Sequence, residues 1–194
     1  MPTGVHLRNA RDLLFDAAER VLGRDGVSGL TSRAVTSEAG VAKGVMHSHF
    51  VDFDSFLAEL ALDRVAHLDG PAKALHDAAG TGTVVDNLTD ALTAVFSPFA
   101  VAMVALVVTR GGLRARLREA GASRFPLIAE GSTIITAYLT KEKALGRVSA
   151  AADIPMLTHT LMGAAHLLFA DRQSGPPGAK ALRKVVETVM QGVV

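Results

Sequence analysis

The stretch from Leu7 to Leu22 shows a regular spacing of apolar and polar positions. Apolar side chains recur three or four residues apart, and charged side chains fill the opposite face, which predicts an amphipathic helix. The apolar positions are Leu7, Ala10, Leu13, Leu14, Ala17, Ala18, Val21 and Leu22. Gly23 and Gly26 are expected to end this helix, because glycine adopts the left-handed conformation of a helix end at little cost.

Two short helices are predicted directly after it. Thr31 offers a side-chain oxygen as N-cap for a helix over residues 32–39, and Gly40 permits a tight turn. A third helix follows from about Ala42 to Phe50. Two short helices joined by a glycine turn are typical of a helix-turn-helix, in which the second helix enters the major groove of DNA. Many helical hairpins share this turn, so the pattern alone leaves both interpretations open.

The rest of the chain keeps the helical period. Asp52 and Asp54 are expected to cap and complement a long helix that reaches about Leu68. Further helices are predicted near residues 71–79, 83–96, 98–119, 124–144, 153–172 and 177–191, with glycine- and proline-containing breaks between them, the last at residues 174–178. Because no segment alternates for long with the period of a strand, we predict an all-α fold.

Charge gives no argument for a nucleic-acid partner. The chain has a formal net charge of +1, and the residues through Phe50 are also close to neutral. A basic segment lies later in the chain, where Glu119 alone opposes five arginines, and it is interpreted as a solvated helical face. The arginines are Arg110, Arg114, Arg116, Arg118 and Arg124.

Several classes of protein are disfavoured. The absence of cysteine excludes disulfides, thiolate metal sites and cysteine catalysis. No signal peptide is recognisable, and the longest apolar run, Phe99 to Val108, is shorter than the roughly 20 residues that span a bilayer, so a soluble cytoplasmic protein is expected. No catalytic motif is found, so neither an enzyme nor a cofactor is predicted. His159 and His166 lack neighbouring carboxylates, and no metal site is predicted.

The stretch from Arg8 to about Leu60 carries a further set of informative residues. They are Ala18, Gly26, Thr31, Arg33, Val35, Ala39, Gly40, Val41, Lys43, Gly44, Met46, His49 and Phe50. With these residues the stretch resembles the DNA-binding domain of the TetR family of transcriptional regulators. The resemblance implies a three-helix DNA-binding domain at residues 1–53 and a helical ligand-binding and dimerisation domain at residues 54–194. It also implies a repressor that binds a palindromic operator as a homodimer and is released by a small apolar or amphipathic effector.

The two short helices carry the expected DNA contacts. Val35, Ala39, Met46 and Phe50 are expected to pack inward as scaffold. Lysine, arginine and hydroxyl groups suit phosphates, a valine suits a thymine methyl group, and a glycine permits close approach of the helix. The predicted DNA-binding residues are Thr31, Arg33, Ala42, Lys43, Gly44, Val45, His47, Ser48 and His49.

Two positions depart from the family pattern. His47 replaces the usual tyrosine on the second short helix, and Phe53 replaces the usual lysine at the start of the fourth helix. Both changes remove phosphate contacts and so weaken the hold on the DNA backbone. They leave open an alternative, namely a helical ligand-binding or interaction module that keeps the fold but has weak or lost DNA binding.

The C-terminal body carries two further expectations from the resemblance. The last two long helices are expected to pair with their copies in a second subunit, and an intramolecular core is the alternative. The predicted interface residues are Leu157, Leu161, Ala164, Ala165, Leu168, Leu182, Val185, Val186, Val189 and Met190. The predicted effector pocket, which has plain core as its alternative, is lined by Phe96, Phe99, Met103, Val107, Ile135, Tyr138, Met162, His166 and Phe169.

Overall fold

The computed structural model describes residues 4–170 and 177–194, and every regular element in these ranges is an α-helix. The helices are α1 Gly4–Gly29, α2 Ser32–Glu38, α3 Lys43–His49, α4 Phe53–Ala66, α5 Asp69–Ala78, α6 Val84–Val95, α7 Pro98–Thr109, α8 Gly111–Glu119, α9 Pro126–Ala144, α10 Ile154–Ala170 and α11 Ala179–Met190. The all-α prediction is confirmed. Residues 174–176 of the predicted break at 174–178, and the predicted end of the preceding helix at 171–172, lie outside the described residues. None of these helices alone is long and apolar enough to cross a membrane. Only α6 and α7 taken together, as a bent pair, have the length and apolar composition of such a span.

The first helix departs from its prediction at two points. It continues through Gly23, and its regular path breaks only at Gly26, which has a φ of 70°. Leu13 is 42% exposed whereas Phe15, absent from the predicted apolar stripe, is 3% exposed. Leu13 and Phe15 lie on opposite flanks of the stripe, and the Phe15 flank meets the rings of Phe50 and Phe56.

The helix-turn-helix forms as predicted, from local signals. The Thr31 side chain accepts a hydrogen bond from the backbone N–H of Ala34 at 3.1 Å, which caps α2. At the other end Gly40 has a φ of 67°, and the N–H groups of Gly40 and Val41 donate to the carbonyls of Ser37 and Thr36. This pair of bonds is a Schellman motif, which turns the chain into α3. Three predicted scaffold residues, Val35, Met46 and Phe50, are buried.

The chain divides into two compact units. The first unit comprises Met1–Asp63 and Ala102–Phe125, and the second comprises Arg64–Val101 and Pro126–Val194. In the first unit α1 packs on α2 and α3. In the second, α6 contacts α5, α9 and α11, and α10 contacts α9 and α11. The predicted boundary between residues 53 and 54 is a functional division and stays a prediction.

Half of the predicted subunit interface lies inside the second unit. Five of its side chains have at most 1% of their surface exposed, because α10 and α11 pack on each other and on α9 and α6. These are Leu161, Ala165, Leu182, Val186 and Met190. In this unit they pack as an intramolecular core, which is the alternative given for them above, and their role in a subunit interface stays a prediction. Leu157, Ala164, Leu168, Val185 and Val189 keep partial exposure.

Candidate DNA interface and effector pocket

Most of the predicted DNA-binding residues lie on the surface of α2, α3 and the turn between them. Thr31, Arg33, Ala42, Lys43, Gly44, His47 and Ser48 are exposed, whereas Val45 and His49 are half-buried. The inner face of α3 is held by Met46, which is buried, and by Phe50 directly after the helix. The helix is therefore anchored on one side and open on the other, as a recognition helix must be.

The cations of this region are not equivalent. Arg11 pairs with Glu59, Arg20 pairs with Glu38 at 2.8 Å, and Arg24 pairs with both Asp25 and Glu38. In the part of the chain that the structure describes, Arg33 and Lys43 have no carboxylate partner. The unneutralised positive charge of the helix-turn-helix therefore lies at predicted DNA contacts, although the region as a whole is close to neutral.

Glu38, the last residue of α2, connects two of the three helices. It accepts hydrogen bonds from Arg24 and Arg20 of α1, and these arginines hold the pKa of Glu38 below its usual value. The carboxylate therefore stays ionised over the physiological pH range, so its ion pairs with Arg20 and Arg24 persist over that range. Exposed ion pairs contribute little stability, but two arginines on one carboxylate fix how α2 lies against α1.

The two hydroxyl groups predicted to contact phosphates differ in what they can still donate. Thr31 uses an oxygen lone pair to cap α2, which leaves its hydroxyl hydrogen free for a phosphate. Ser48 donates its hydroxyl hydrogen to the carbonyl of Val45 at 2.8 Å. A phosphate contact from Ser48 therefore requires this hydroxyl to rotate away from the helix.

Phe53, one of the two departures from the family pattern, is packed against its neighbours. Its ring stacks on Phe56 at 5.5 Å, and the guanidinium of Arg110 lies 5.4 Å from the ring centre. Arg110 is itself fixed by Asp54, which its Nε approaches at 2.6 Å. Residue 53 thus supports the start of α4, and its ring brings no positive charge toward a phosphate.

Asp52 joins the start of α4 to α8. Its carboxylate accepts from the backbone N–H of Ser55, as the predicted cap requires, and from Nη2 of Arg116 at 2.7 Å. The hydrogen bonds from Arg116 and Ser55 lower the pKa of Asp52 to about 2. The approach of α8 is so close that a side chain at Gly112 would collide with the Asp54 carboxylate. The sequence analysis missed this contact, although oppositely charged runs at 52–54 and 110–116 were a signal for it.

The residues predicted to line the effector pocket are divided between the two units. Met103 and Val107 belong to the first unit, and the other seven belong to the second. In the second unit the Phe96 ring stacks on Phe169 at 5.7 Å and lies 6.2 Å from the ring of His166. Most of these side chains are buried, and packing nearby is tight, because a Cβ at Gly131 would lie 2.7 Å from Val95. Burial of this kind is compatible with plain core as well as with a lining, so the assignment of this set to an effector pocket stays a prediction.

His166 is the polar exception within that set. Its Nδ1 atom is buried and has no hydrogen-bond partner among the described residues. Buried polar atoms in native proteins nearly always have a partner, so this nitrogen is a candidate handle for a ligand. His159, seven residues earlier, donates from Nδ1 to the Pro155 carbonyl at 2.7 Å. In the described ranges no group of three or more His, Asp or Glu residues could hold a metal ion.

A cavity of about 420 Å³ lies between α5 and α6 in the second unit. Small side chains face each other across it and leave the space open, and two polar residues stand among them. The lining residues are Gly70, Pro71, Ala74, Leu75, Ala78, Asn87, Asp90, Ala91 and Ala94. Asn87 also donates to the Tyr138 hydroxyl at 2.9 Å, which connects the cavity to the predicted pocket set. Burial, together with a hydrogen bond to Glu142, raises the pKa of that hydroxyl, so it stays protonated.

The sequence prediction missed this cavity. It considered the large apolar side chains, whereas the space is created by alanines. The available signal was the spacing of Ala74 and Ala78 on α5 and of Asn87, Ala91 and Ala94 on α6, which places small residues on one face of each helix.

Comparison with known proteins agrees with this geometry. Residues 14–60 match the model of the bacterial regulatory proteins of the tetR family. This stretch is therefore similar to the helix-turn-helix DNA-binding domain of the TetR family, and the all-helical chain has the fold of TetR-family regulators.

Solved structures extend the likeness in fold to almost the whole chain. A TetR-family regulator from Rhodococcus sp. is 19% identical, with a TM-score of 0.67 over 94% of this chain and 98% of that one. The regulator FadR from Bacillus subtilis, in complex with stearoyl-CoA, is 17% identical with a TM-score of 0.66 over 94% and 98%. A regulator from Saccharomonospora viridis, in complex with choline, is 16% identical with a TM-score of 0.71 over 96% and 98%. A comparison with curated protein sequences found no match.

Proposed function

We propose that this protein is a transcriptional repressor that binds a palindromic operator as a homodimer and is released by a small apolar or amphipathic effector. The observation that carries the DNA-binding part is the placement of charge. Arg33 and Lys43 are exposed at predicted DNA contacts and lack a carboxylate partner in the described residues, while Arg11, Arg20 and Arg24 are held in ion pairs. Unpaired cations on an open helix face are what the phosphate backbone attracts.

A dimer follows from the geometry of the operator and has a candidate surface. Half-sites one helical turn apart, about 34–36 Å, require two recognition helices. On α10, Met156 is 62% exposed and Leu167 is 73% exposed, and the exposed Thr160 and Gly163 lie between them at helical spacing. Such an apolar stripe with a glycine at its centre suits close packing against a second copy of the same helix. Three partly exposed members of the predicted seam, Leu157, Ala164 and Leu168, lie on the same helix.

The effector site belongs to the second unit in this proposal. The cavity between α5 and α6 has apolar walls with Asn87 and Asp90 as polar groups, a composition typical of small-molecule sites. The unpaired Nδ1 of His166 offers a further hydrogen-bonding position. Two regulators of similar fold are bound to small molecules, namely stearoyl-CoA and choline, which supports a ligand-binding role for this unit.

Salt dependence of DNA binding tests the role of the unpaired cations. Lys43→Gln should weaken binding to the operator and lower the slope of log affinity against log salt by about 0.9 per chain, or about 1.8 per dimer. The matched control is Lys73→Gln, which removes an exposed lysine from α5 of the second unit. Equal slopes for the parent and Lys43→Gln, or an equal loss in both variants, would contradict the proposed contact.

The alternative function, a ligand-binding or interaction module without operator binding, rests on one specific observation. The ring of Phe53 is packed between Phe56 and Arg110, so this position offers no phosphate contact. The same binding experiment decides between the two functions. A protein that binds a small molecule in the second unit but shows no preference among DNA sequences would fit the alternative.

A further inference from the structure

A second concave site lies in the first unit, on α8 and the residues that follow it. It is a groove of about 360 Å³ lined by Arg114, Leu117, Arg118, Ala122 and Arg124. Three of the five lining residues are arginines, and the other two supply an apolar floor. This groove uses part of the basic segment that neither the DNA interface nor the effector cavity explains.

The local sequence builds the groove through the end of α8. Gly121 has a φ of 70°, its N–H donates to the Arg118 carbonyl at 3.0 Å, and the Ala122 N–H donates to the Leu117 carbonyl at 2.9 Å. These two bonds form a Schellman motif, in which the residue after the glycine contacts the last turn of the helix. The chain therefore turns back on itself, which brings Ala122 to Leu117 and places Arg124 on the groove.

The arginines of this segment divide into two groups. Arg110 and Arg116 are neutralised by Asp54 and Asp52, and Arg116 also pairs with Glu119. The three arginines of the groove pair with no carboxylate among the residues that the structure describes. The end of α8 contributes about half a negative charge, which three guanidinium groups exceed. The groove is therefore a local concentration of positive charge in a chain whose formal net charge is only +1.

Two of the three guanidinium groups have contacts that position them before any ligand arrives. Nη1 of Arg114 donates to the carbonyls of Val107 and Val108 at 2.7 and 2.8 Å, which fixes the side chain and leaves its other N–H groups free. The guanidinium of Arg124 lies 5.5 Å from the ring of Phe125. Positioning of this kind lowers the entropic cost of binding an anion.

We propose that this groove binds a small molecule through a phosphate group. Guanidinium forks match the oxygens of a phosphate, and three of them require a ligand with two or three negative charges, which a phosphate ester or diphosphate carries in one compact group. The concave shape and the apolar floor of Leu117 and Ala122 suit a compact ligand better than the extended backbone of a DNA duplex. None of its five lining residues also lines the cavity between α5 and α6.

Calorimetric titration of the full-length protein with inorganic diphosphate tests the site. The parent should bind in a saturable way, with one site per chain. The double variant Arg118→Gln, Arg124→Gln should bind at least about tenfold more weakly, because hydrogen bonds from two charged groups to the phosphate oxygens are lost. The control Lys180→Gln, Lys184→Gln removes the same charge from the exposed face of α11 and should leave diphosphate affinity within about twofold of the parent.

Three results would overturn the proposal. The first is a parent protein that shows no saturable binding of diphosphate. The second is an equal loss of affinity in the lysine control, which would mean that overall charge and not the groove attracts the anion. The third is an absence of diphosphate binding together with a lower salt slope for duplex DNA in the arginine variant, which would identify these arginines as contacts to the DNA backbone. Diphosphate binding is measured without DNA, so failure of the proposed repressor function leaves this test intact.

Discussion

Two glycines of the helix-turn-helix offer a matched pair of substitutions with opposite expected effects. A methyl group at Gly40 or at Gly44 would meet no atom within 4 Å, so neither substitution causes a collision in the free protein. The difference is in the backbone. Gly40 has a φ of 67° in the turn, whereas Gly44 lies inside α3 and is not among the glycines with positive φ.

The magnitudes follow from this difference. Alanine in the left-handed conformation costs about 1–2 kcal/mol, so Gly40→Ala should be destabilising by that amount. Alanine within a helix is more stable than glycine by about 0.5–1 kcal/mol, so Gly44→Ala should be stabilising. For a chain of this size each kcal/mol shifts Tm by about 2–4 °C, which gives a fall of about 2–8 °C for Gly40→Ala and a rise of about 1–4 °C for Gly44→Ala. Thermal melts followed by circular dichroism measure both shifts.

Operator binding should separate stability from function at these positions. Gly44→Ala should be more stable yet bind the operator about tenfold more weakly, a loss of about 1.4 kcal/mol, because the added methyl group occupies the exposed surface predicted to approach DNA. Gly40→Asn serves as the control, since asparagine tolerates the left-handed conformation and should recover most of the lost stability. Unchanged operator affinity in Gly44→Ala would remove this glycine from the interface. An unchanged Tm in Gly40→Ala would refute the strained turn.

Three further predictions concern the rest of the chain. Leu167→Glu should shift the protein toward monomer in sedimentation, because it places charge in the apolar stripe of α10, whereas Leu145→Glu, at another exposed leucine, should leave the assembly unchanged. Ala94→Trp should fill the cavity between α5 and α6 and reduce binding of the dye anilinonaphthalene sulfonate. Ala129→Trp, at an exposed position on α9, should leave dye binding unchanged. Equal dye binding by the two variants would mean that the dye does not bind in this cavity. Because the pKa of Asp52 is lowered in the folded protein, its interactions contribute stability above pH about 4, and this contribution is lost as the pH falls toward 2. The urea concentration at the unfolding midpoint should therefore decline through this pH window. Removal of the Arg116 partner should reduce that decline.

The features that could be predicted from the sequence are those with local causes. The cap at Thr31 and the turn at Gly40 each depend on a residue and its neighbours within four positions, and both were predicted at the correct residues. Gly23 was misjudged because glycine permits a helix to end but does not require it, and α1 continues through Gly23 to the break at Gly26. Leu13 was misjudged because the apolar period does not say which flank of a helix meets a partner.

The features that could not be predicted depend on contacts distant in sequence. Leu161 and Val186 have the same apolar character whether they face their own unit or a second copy, so the pattern could not distinguish core from interface. The pairing of Asp52 with Arg116 joins residues 64 positions apart, and no local rule selects that partner from the basic segment. The cavity arises where Ala78 and Ala91 leave space, and alanine spacing is also typical of ordinary close packing.

The most direct test of the central claim is a binding isotherm with the DNA upstream of the gene that encodes this protein. Fluorescence anisotropy on a labelled duplex should show saturable binding of two chains per site, and a scrambled duplex of the same length should bind at least about a thousandfold more weakly. This result would establish a sequence-specific regulator that acts as a dimer. Equal affinity for both duplexes, or no complex with either, would contradict the account and leave the protein as a ligand-binding module with a retained helix-turn-helix.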